Sequence, residues 1–374
     1  MTMPHQSYPY LEVQLDQICR NARVMAELCR GHGIQIAGVV KFSDGSAEIA
    51  QAYHAGGCAQ IAASRTIQLE EVKTALPQAT TLLLRLPMLS EIEETVRWCD
   101  ISLNSSIQTL AALEKEAQRQ AKTHQVILML DVGDLREGVP QPDDLCCLAR
   151  AVETHMPHLK LLGVGATFTC YGSILPDNNN LGALVQAAEQ VERTIGRKLD
   201  IISGGSSTSL IPLLGGEVPE RINHLRLGGS IANPRAIRLN RGVSIPGLCE
   251  DACLFHAQLI EVNRKPTRPY GVSSINWKGN AVEFADQGVR RRGIAAMGAA
   301  DVGDLFQLFP MDERIRVCGG SSDHLVLDLE NCLGAYEVGD EVIFRSFYGP
   351  LLYAFSTRHV AIHYVGKAVC SNAD

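Results

Sequence analysis

From about residue 15 to residue 240 the chain repeats one rhythm: a short apolar run, a turn, then a stretch whose apolar residues fall at helical spacing. The runs lie at 35–40, 60–63, 80–84, 101–103, 126–130, 161–168, 199–202 and 224–227. Apolar runs of this length between turn residues read as strands, and strands alternating with helices read as βαβ units of a parallel sheet. The helical stretches each bury one face. Leu15, Ile18, Ala22, Met25 and Leu28 mark it in the first, and Leu181, Leu184, Ala188, Val191 and Ile195 in a later one. Ser105 with Gln108 three residues on predicts a capping box at another helix start. Eight strand–helix units over about 220 residues match a (β/α)8 barrel, an α/β fold whose chemistry sits at the carboxyl ends of its strands.

The rhythm stops near residue 240. Beyond it come Pro- and Gly-punctuated strand patterns at 254–262, 314–317, 325–329 and 341–347, and helical spacing fades. The expected organisation is a TIM-like barrel over 15–240 and a smaller, mostly-β domain over 241–366, with residues 1–14 adding a strand to that domain and 367–374 forming a small polar tail. A chain of 374 residues exceeds the size to which one hydrophobic core usually grows, which agrees with two domains.

Composition removes several classes of function. With 46% hydrophobic and 20% charged residues the chain reads as an ordinary globular protein, and no run approaches the roughly 20 apolar residues of a membrane span. A net charge of -7 argues against nucleic-acid binding. The longest basic cluster, Arg290-Arg291-Arg292, reads as a solvated strand edge. Twelve cysteines without a Cys-x-x-Cys pair, and an N-terminus without a charged and then apolar leader, suggest a reduced, cytoplasmic protein. His155 and His158 are close in sequence, but Pro157 between them argues against a helical metal pair, so no metal is expected.

Lys41 ends the first run, Ile36-Ala37-Gly38-Val39-Val40-Lys41, and so brings an amine to the carboxyl end of a buried strand. Desolvation there can lower a lysine's pKa and make it a Schiff-base nucleophile, although many such lysines only snorkel into solvent. At the seventh strand's end, Ser203-Gly204-Gly205-Ser206-Ser207-Thr208-Ser209 combines close-approach glycines with hydroxyls and free backbone N–H groups. That suits an anionic phosphate, or an ordinary Gly/Ser loop. The eighth strand ends in Leu225-Arg226-Leu227-Gly228-Gly229-Ser230, again an arginine and glycines at a barrel mouth.

These blocks carry a resemblance. VVK, LLLRLPMLSEIE, CDISLNSS, LDVGDLREG, TCYGSILP, SGGSSTS, LRLGGS and SSDHLVLD, in that order from about residue 10 to residue 355, resemble the alanine racemase superfamily of pyridoxal 5'-phosphate (PLP) enzymes, and most closely its ornithine racemase branch. The resemblance implies PLP held as a Schiff base by Lys41. It further implies that Ser206, Ser207, Arg226, Gly228, Gly229 and Ser230 bind the cofactor's phosphate and ring. An arginine facing the ring nitrogen disfavours its protonation and weakens the electron sink, which limits side reactions. Arg136 stands where the family's arginine meets the substrate carboxylate, unless it forms a salt bridge with Asp134 or Glu137 instead.

Departures from the family pattern are as informative. The family's catalytic tyrosine, in a Gly-Tyr-Ala-Asp-Gly segment, is Ala299 here; the tyrosine after its lysine is Ser43, and the histidine under its ring is Thr167. Racemisation needs proton delivery on both faces of a planar carbanion. Lys41 is one proton carrier. For the other, Cys170, Tyr171, Asp323, His324 and Tyr348 are candidates, with His324 beside Asp323 favoured because imidazole titrates near neutrality. A substrate with a distal ammonium wants a carboxylate, and Asp301 and Asp323 are both eligible. The expected function is thus PLP-dependent racemisation of ornithine or a similar basic amino acid by a homodimer with shared sites. The alternatives are a PLP lyase of the D-threonine aldolase or D-serine dehydratase kind, whose His-x-Cys metal spacing is not matched by His359, His363 and Cys370, or a non-catalytic PLP-homeostasis protein.

Overall fold

The computed structural model describes residues 8–369. The chain forms two compact units. One is Leu15–Glu250 with the segment that begins at Gly366, and the other joins the segment ending at Gln14 to Asp251–Val365. Of the expected tail, residues 370–374 lie outside the described residues. Among the described residues no helix is long and apolar enough to cross a membrane.

Strand β1 (Tyr10–Gln14) belongs to the second unit. The eight strands that follow close the barrel: β2 (Gln35–Val39), β3 (Gln60–Ala63), β4 (Thr81–Leu83), β5 (Ile101–Asn104), β6 (His124–Met129), β7 (Leu159–Gly165), β8 (Ile201–Ser203) and β9 (His224–Leu227). Every neighbouring pair is parallel, and β9 returns to β2 through Gln35↔His224 and Ala37↔Arg226. All eight expected runs are these strands.

Side-chain alternation explains why they read as continuous apolar runs. On β6, Ile127 and Met129 share a buried cluster with Ala37, Val39 and Leu103, the inward set. Val126 and Leu128 instead join Leu110, Leu145 and Leu184 from the surrounding helices. Both faces of each strand are covered, as in other parallel sheets. Full burial of each such leucine or isoleucine contributes about 1.5–3 kcal/mol. The helix expected near Ser105 runs Ile107–Arg119, but Ser106 is its N-cap and no side chain caps it. Ser106 Oγ bonds the side chain of Gln108 instead, so the capping box does not form.

The second unit is antiparallel apart from one pairing. Its strands are β10 (Cys253–Pro266), β11 (Val289–Ala295), β12 (Leu308–Pro310), β13 (Arg316–Gly320), β14 (Leu325–Asp328), β15 (Glu341–Ser346) and β16 (Ala361–Val365). They order as β12-β15-β10-β11-β14-β13, while β1 pairs antiparallel with β10 and parallel with β16. The arginine triplet is therefore not on an edge. It lies in β11, an inner strand between β10 and β14; all three arginines pair with β10, and Arg292 also pairs with β14. Charge is tolerated there because Arg290 Nε reaches Asp328 Oδ2 at 2.6 Å and Arg291 bonds the Tyr336 carbonyl.

Candidate active site

Lys41 leaves β2 by a tight turn. Val40 still pairs with the barrel through Ala62, and Lys41–Ser43 is a single 3-10 turn in which Ser43 Oγ donates to the Val40 carbonyl at 2.9 Å. The amine thus stands at the carboxyl-terminal mouth, open to solvent yet ringed by protein. Burial lowers its pKa below the usual lysine value; Cys170 opposes that shift, and Arg136 adds to it.

Arg226 projects from β9 and is buried. Its Nη1 donates to Ser203 Oγ at 2.6 Å, and Nη2 donates to the Ala166 carbonyl at 2.8 Å and Thr167 Oγ1 at 3.3 Å. None of its hydrogen bonds among the described residues goes to a carboxylate. Burial pushes its pKa down to about 10, which leaves it cationic at neutral pH. Behind it runs a relay. Ser203 Oγ is 2.9 Å from His224 Nδ1, and His224 Nε2 is 3.2 Å from Gln60 Oε1. Burial drives His224 down to about 3, so the ring is neutral. Its Nε2–H then serves Gln60, and Nδ1 accepts the serine proton.

The loops after β8 and β9 face each other through Ser207 Oγ and Ser230 Oγ, 2.9 Å apart. Ser206 precedes the turn Ser207–Ser209, and Ser209 Oγ ties back to the Gly204 carbonyl at 2.6 Å. Gly205 has φ of 101°, and a Cβ there would lie 2.6 Å from Phe168; one on Gly228 would lie 2.8 Å from the Val39 carbonyl oxygen. Glycine is required at both. Gly229 opens the short helix Gly229–Ala232 that carries Ser230.

After β6, residues Asp131–Gly138 make a compact turn. Asp131 Oδ1 accepts from the N–H groups of Gly133 and Leu135, and Leu135 has φ of 56°. This turn brings adjacent side chains together: Arg136 grips Glu137 through both Nε and Nη2. Thr167 Oγ1 donates to Glu137 Oε1 at 2.7 Å and accepts from Arg136 Nη2 at 3.3 Å. The Arg136–Glu137 salt bridge foreseen as an alternative is present, and it occupies the guanidinium edge expected to clamp a substrate. Asp134, buried, accepts from the N–H groups of Cys170 at 3.2 Å and Tyr171 at 3.1 Å. Its own carbonyl accepts from Gly172. The backbone at Cys170 and Tyr171 is thereby tied to this turn, while Tyr171 is 73% exposed.

The barrel unit thus gathers Lys41, Arg136, Cys170, Tyr171, Ser206, Ser207, Arg226, Gly228, Gly229 and Ser230. Asp301, Asp323, His324 and Tyr348 belong to the antiparallel unit. Asp301 is 7% exposed, and its Oδ2 accepts the Gly298 N–H at 2.7 Å, so it caps the short helix Ala299–Val302. Asp323 is exposed and accepts from Ser322 Oγ. His324, 3.3 Å from Ser321 Oγ, lines a cavity of about 920 Å³ with Trp277, Phe306 and Arg292. Tyr348 starts the helix Tyr348–Ser356 and is half-buried.

Comparison with known proteins follows the same lines. A family described as alanine racemase, N-terminal domain, matches residues 13–233. The chain is 35% identical over 353 residues to an ornithine racemase of Acetoanaerobium sticklandii, covering 94% of this chain and 98% of that protein. It is also 35% identical over 355 residues to a lysine racemase of Thermotoga maritima, covering 94% and 97%. In fold it is similar to an alanine racemase from the D-cycloserine producer Streptomyces lavendulae, with a TM-score of 0.75 at 18% identity over 97% of this chain and 98% of that one.

Proposed function

The chain belongs to the alanine racemase family and is an amino-acid racemase; from that premise we propose that it uses PLP carried by Lys41 to interconvert the enantiomers of a basic amino acid, ornithine or lysine in class. The observation that carries the cofactor assignment is the set of groups at one barrel mouth. An amine of lowered pKa, a cradle of serine hydroxyls and Cβ-free glycines, and a buried arginine without a carboxylate partner fit an aldehyde, a phosphate and a pyridine nitrogen respectively. Ser206, Ser207, Gly228, Gly229 and Ser230 would hold the phosphate, and Arg226 would face the ring nitrogen. When bound, PLP supplies the electron withdrawal that makes the substrate's α-proton removable.

This chain's residues do the rest. Lys41 moves a proton at one face of the α-carbon, and burial, which lowers its pKa, favours the neutral amine that can accept one. Arg226, cationic and fixed by Ser203 and the Ala166 carbonyl, would disfavour protonation of a ring nitrogen facing it. Arg136 binds the α-carboxylate. His324 with Asp323 is assigned the second proton transfer, and Asp323, whose carboxylate is exposed, is preferred to the capping Asp301 as partner for a distal ammonium. The preference for a basic substrate draws on the ornithine and lysine racemases to which the chain is similar. A homodimer is part of the same reading. So is a cytoplasmic location: among the described residues ten cysteines are free, although Cys19 is disulfide-bonded.

The test is α-deuterium incorporation with chiral analysis for the PLP-loaded protein given L- and D-ornithine, lysine, arginine, alanine and serine separately. Exchange with inversion of a basic substrate from both directions is expected. Keto-acid or aldehyde products without inversion would replace the racemase reading with lyase chemistry. Normal exchange from both enantiomers in His324→Gln would remove His324 from its assigned role.

A further inference from the structure

Resting on that reading, we propose that Glu137 is a positioning residue for substrate binding: it ties down one edge of the Arg136 guanidinium and leaves the opposite edge, Nη1, as the donor offered to the α-carboxylate. A guanidinium carries five N–H groups in a rigid fork. Here Nε–H and Nη2–H both go to Glu137, and Nη2 also lies 3.3 Å from Thr167 Oγ1. Among the described residues Nη1 has no hydrogen-bond partner. The bidentate edge that a free arginine would use on a carboxylate is thus filled from within the protein.

Glu137 is built for this role rather than left at the surface. Its side chain is 12% exposed, against 40% for Arg136. Burial alone would raise its pKa, but hydrogen bonds from Arg136 and Thr167 bring it below the usual carboxylate value, so it stays anionic. Thr167 is the link to the rest of the site, because its hydroxyl also accepts from Arg226 Nη2 at 3.3 Å. The two arginines therefore share one hydroxyl, that of Thr167. Fixing a long side chain beforehand removes the rotamer freedom that binding would otherwise have to freeze.

Glu137→Gln, nearly isosteric and uncharged, is the perturbation, with Glu137→Asp as the conservative control. In the full-length PLP-loaded protein, KM for the preferred amino acid should rise about 10- to 100-fold in Glu137→Gln, the range for loss of a charge-assisted contact, with kcat changed much less. Glu137→Asp should recover most of the loss. Binding read by cofactor absorbance separates the causes. 1,4-Diaminobutane, which lacks the α-carboxylate, should bind parent and variant alike, while norvaline, which lacks the distal amine, should bind Glu137→Gln more weakly. Equal weakening of all three ligands, or weakening of the diamine but not of norvaline, would overturn the proposal. A readout independent of turnover is the Arg136 Nε–H resonance in 15N-labelled protein: exchange-protected in the parent, it should lose protection in Glu137→Gln. Persistence of that protection would also overturn it. If no amino acid is inverted, the racemase reading fails, while this resonance still reports on the pair.

Discussion

Ser203→Ala should damage the protein more than the loss of one hydroxyl suggests. The side chain is fully buried and serves two partners: it accepts from Arg226 Nη1 at 2.6 Å and meets His224 Nδ1 at 2.9 Å. A hydrogen bond to a charged group contributes about 1.5–3 kcal/mol, and an acceptor left buried without a donor costs about 1–3 kcal/mol more. No water replaces the hydroxyl without room for it, so the expected loss is about 3–5 kcal/mol. At roughly 2–4 °C per kcal/mol for a unit of this size, Tm should fall by about 6–20 °C. Thermal unfolding of the full chain measures this, and a double-mutant cycle with His224→Leu tests the cause. Removing His224 as well removes the Nδ1 acceptor that Ser203→Ala orphans, so the double variant should be about 1–3 kcal/mol more stable than the sum of the single losses. Strict additivity, or a Ser203→Ala loss under about 1 kcal/mol, would refute the relay as the support of Arg226.

Other perturbations are equally direct. Glu192 is held by Arg221, Lys198 and the Leu199 N–H; burial would raise its pKa, but these bonds pull it down to about 2. A depressed carboxylate stabilises above its unfolded value, near 4.3, and that stability is lost as pH falls toward 2. Glu192→Gln should flatten the acid limb of a stability–pH curve and cost about 1–2 kcal/mol at pH 7, a figure discounted because Lys198 is 76% exposed. Gly205→Ala, at φ of 101° and 2.6 Å from Phe168, should cost about 1–3 kcal/mol and weaken PLP uptake by the apoprotein, read by absorbance titration. For Lys41, whose pKa burial lowers, borohydride-trapped PLP should appear with a pH midpoint below the ordinary lysine value of about 10.4, and Lys41→Ala should abolish the label at that position. A midpoint at the ordinary value would deny the desolvation.

The barrel was legible because its strands are buried on both faces, which writes each as an unbroken apolar run with a turn at its end. The groups at those ends, Lys41, Arg226 and the Gly/Ser loop, were legible for the same reason: strand position fixes where they point. Strand β11 was not. Val289–Ala295 carries three arginines after its first residue, and nothing local says that Asp328, nearly forty residues on, will pair with Arg290 or that the strand lies inside a sheet. The same limit hid the relay behind Arg226. Gln60, Ser203 and His224 meet only because β8 pairs Ser203 with His224 and β9 closes against β2 beside β3.

Glu137 marks a subtler limit. Arg136 and Glu137 are adjacent, and adjacent side chains on a helix or a strand do not face each other. Their contact depends on a turn with a left-handed Leu135 and with Gly138 at φ of 127°, where a Cβ would strike the Asp131 nitrogen at 2.4 Å. The block LDVGDLREG contains all of these residues, yet its pattern fits a loose acidic loop as readily as a fixed one. What separates the two is Asp131 and Asp134, which spend their carboxylates on backbone N–H groups within the turn and on the loop after β7. Only Glu137 is then left to face the arginine. A carboxylate's role here is set by which backbone donors have already claimed its neighbours, and within the antiparallel unit the same reasoning separates Asp301, committed to Gly298, from Asp323.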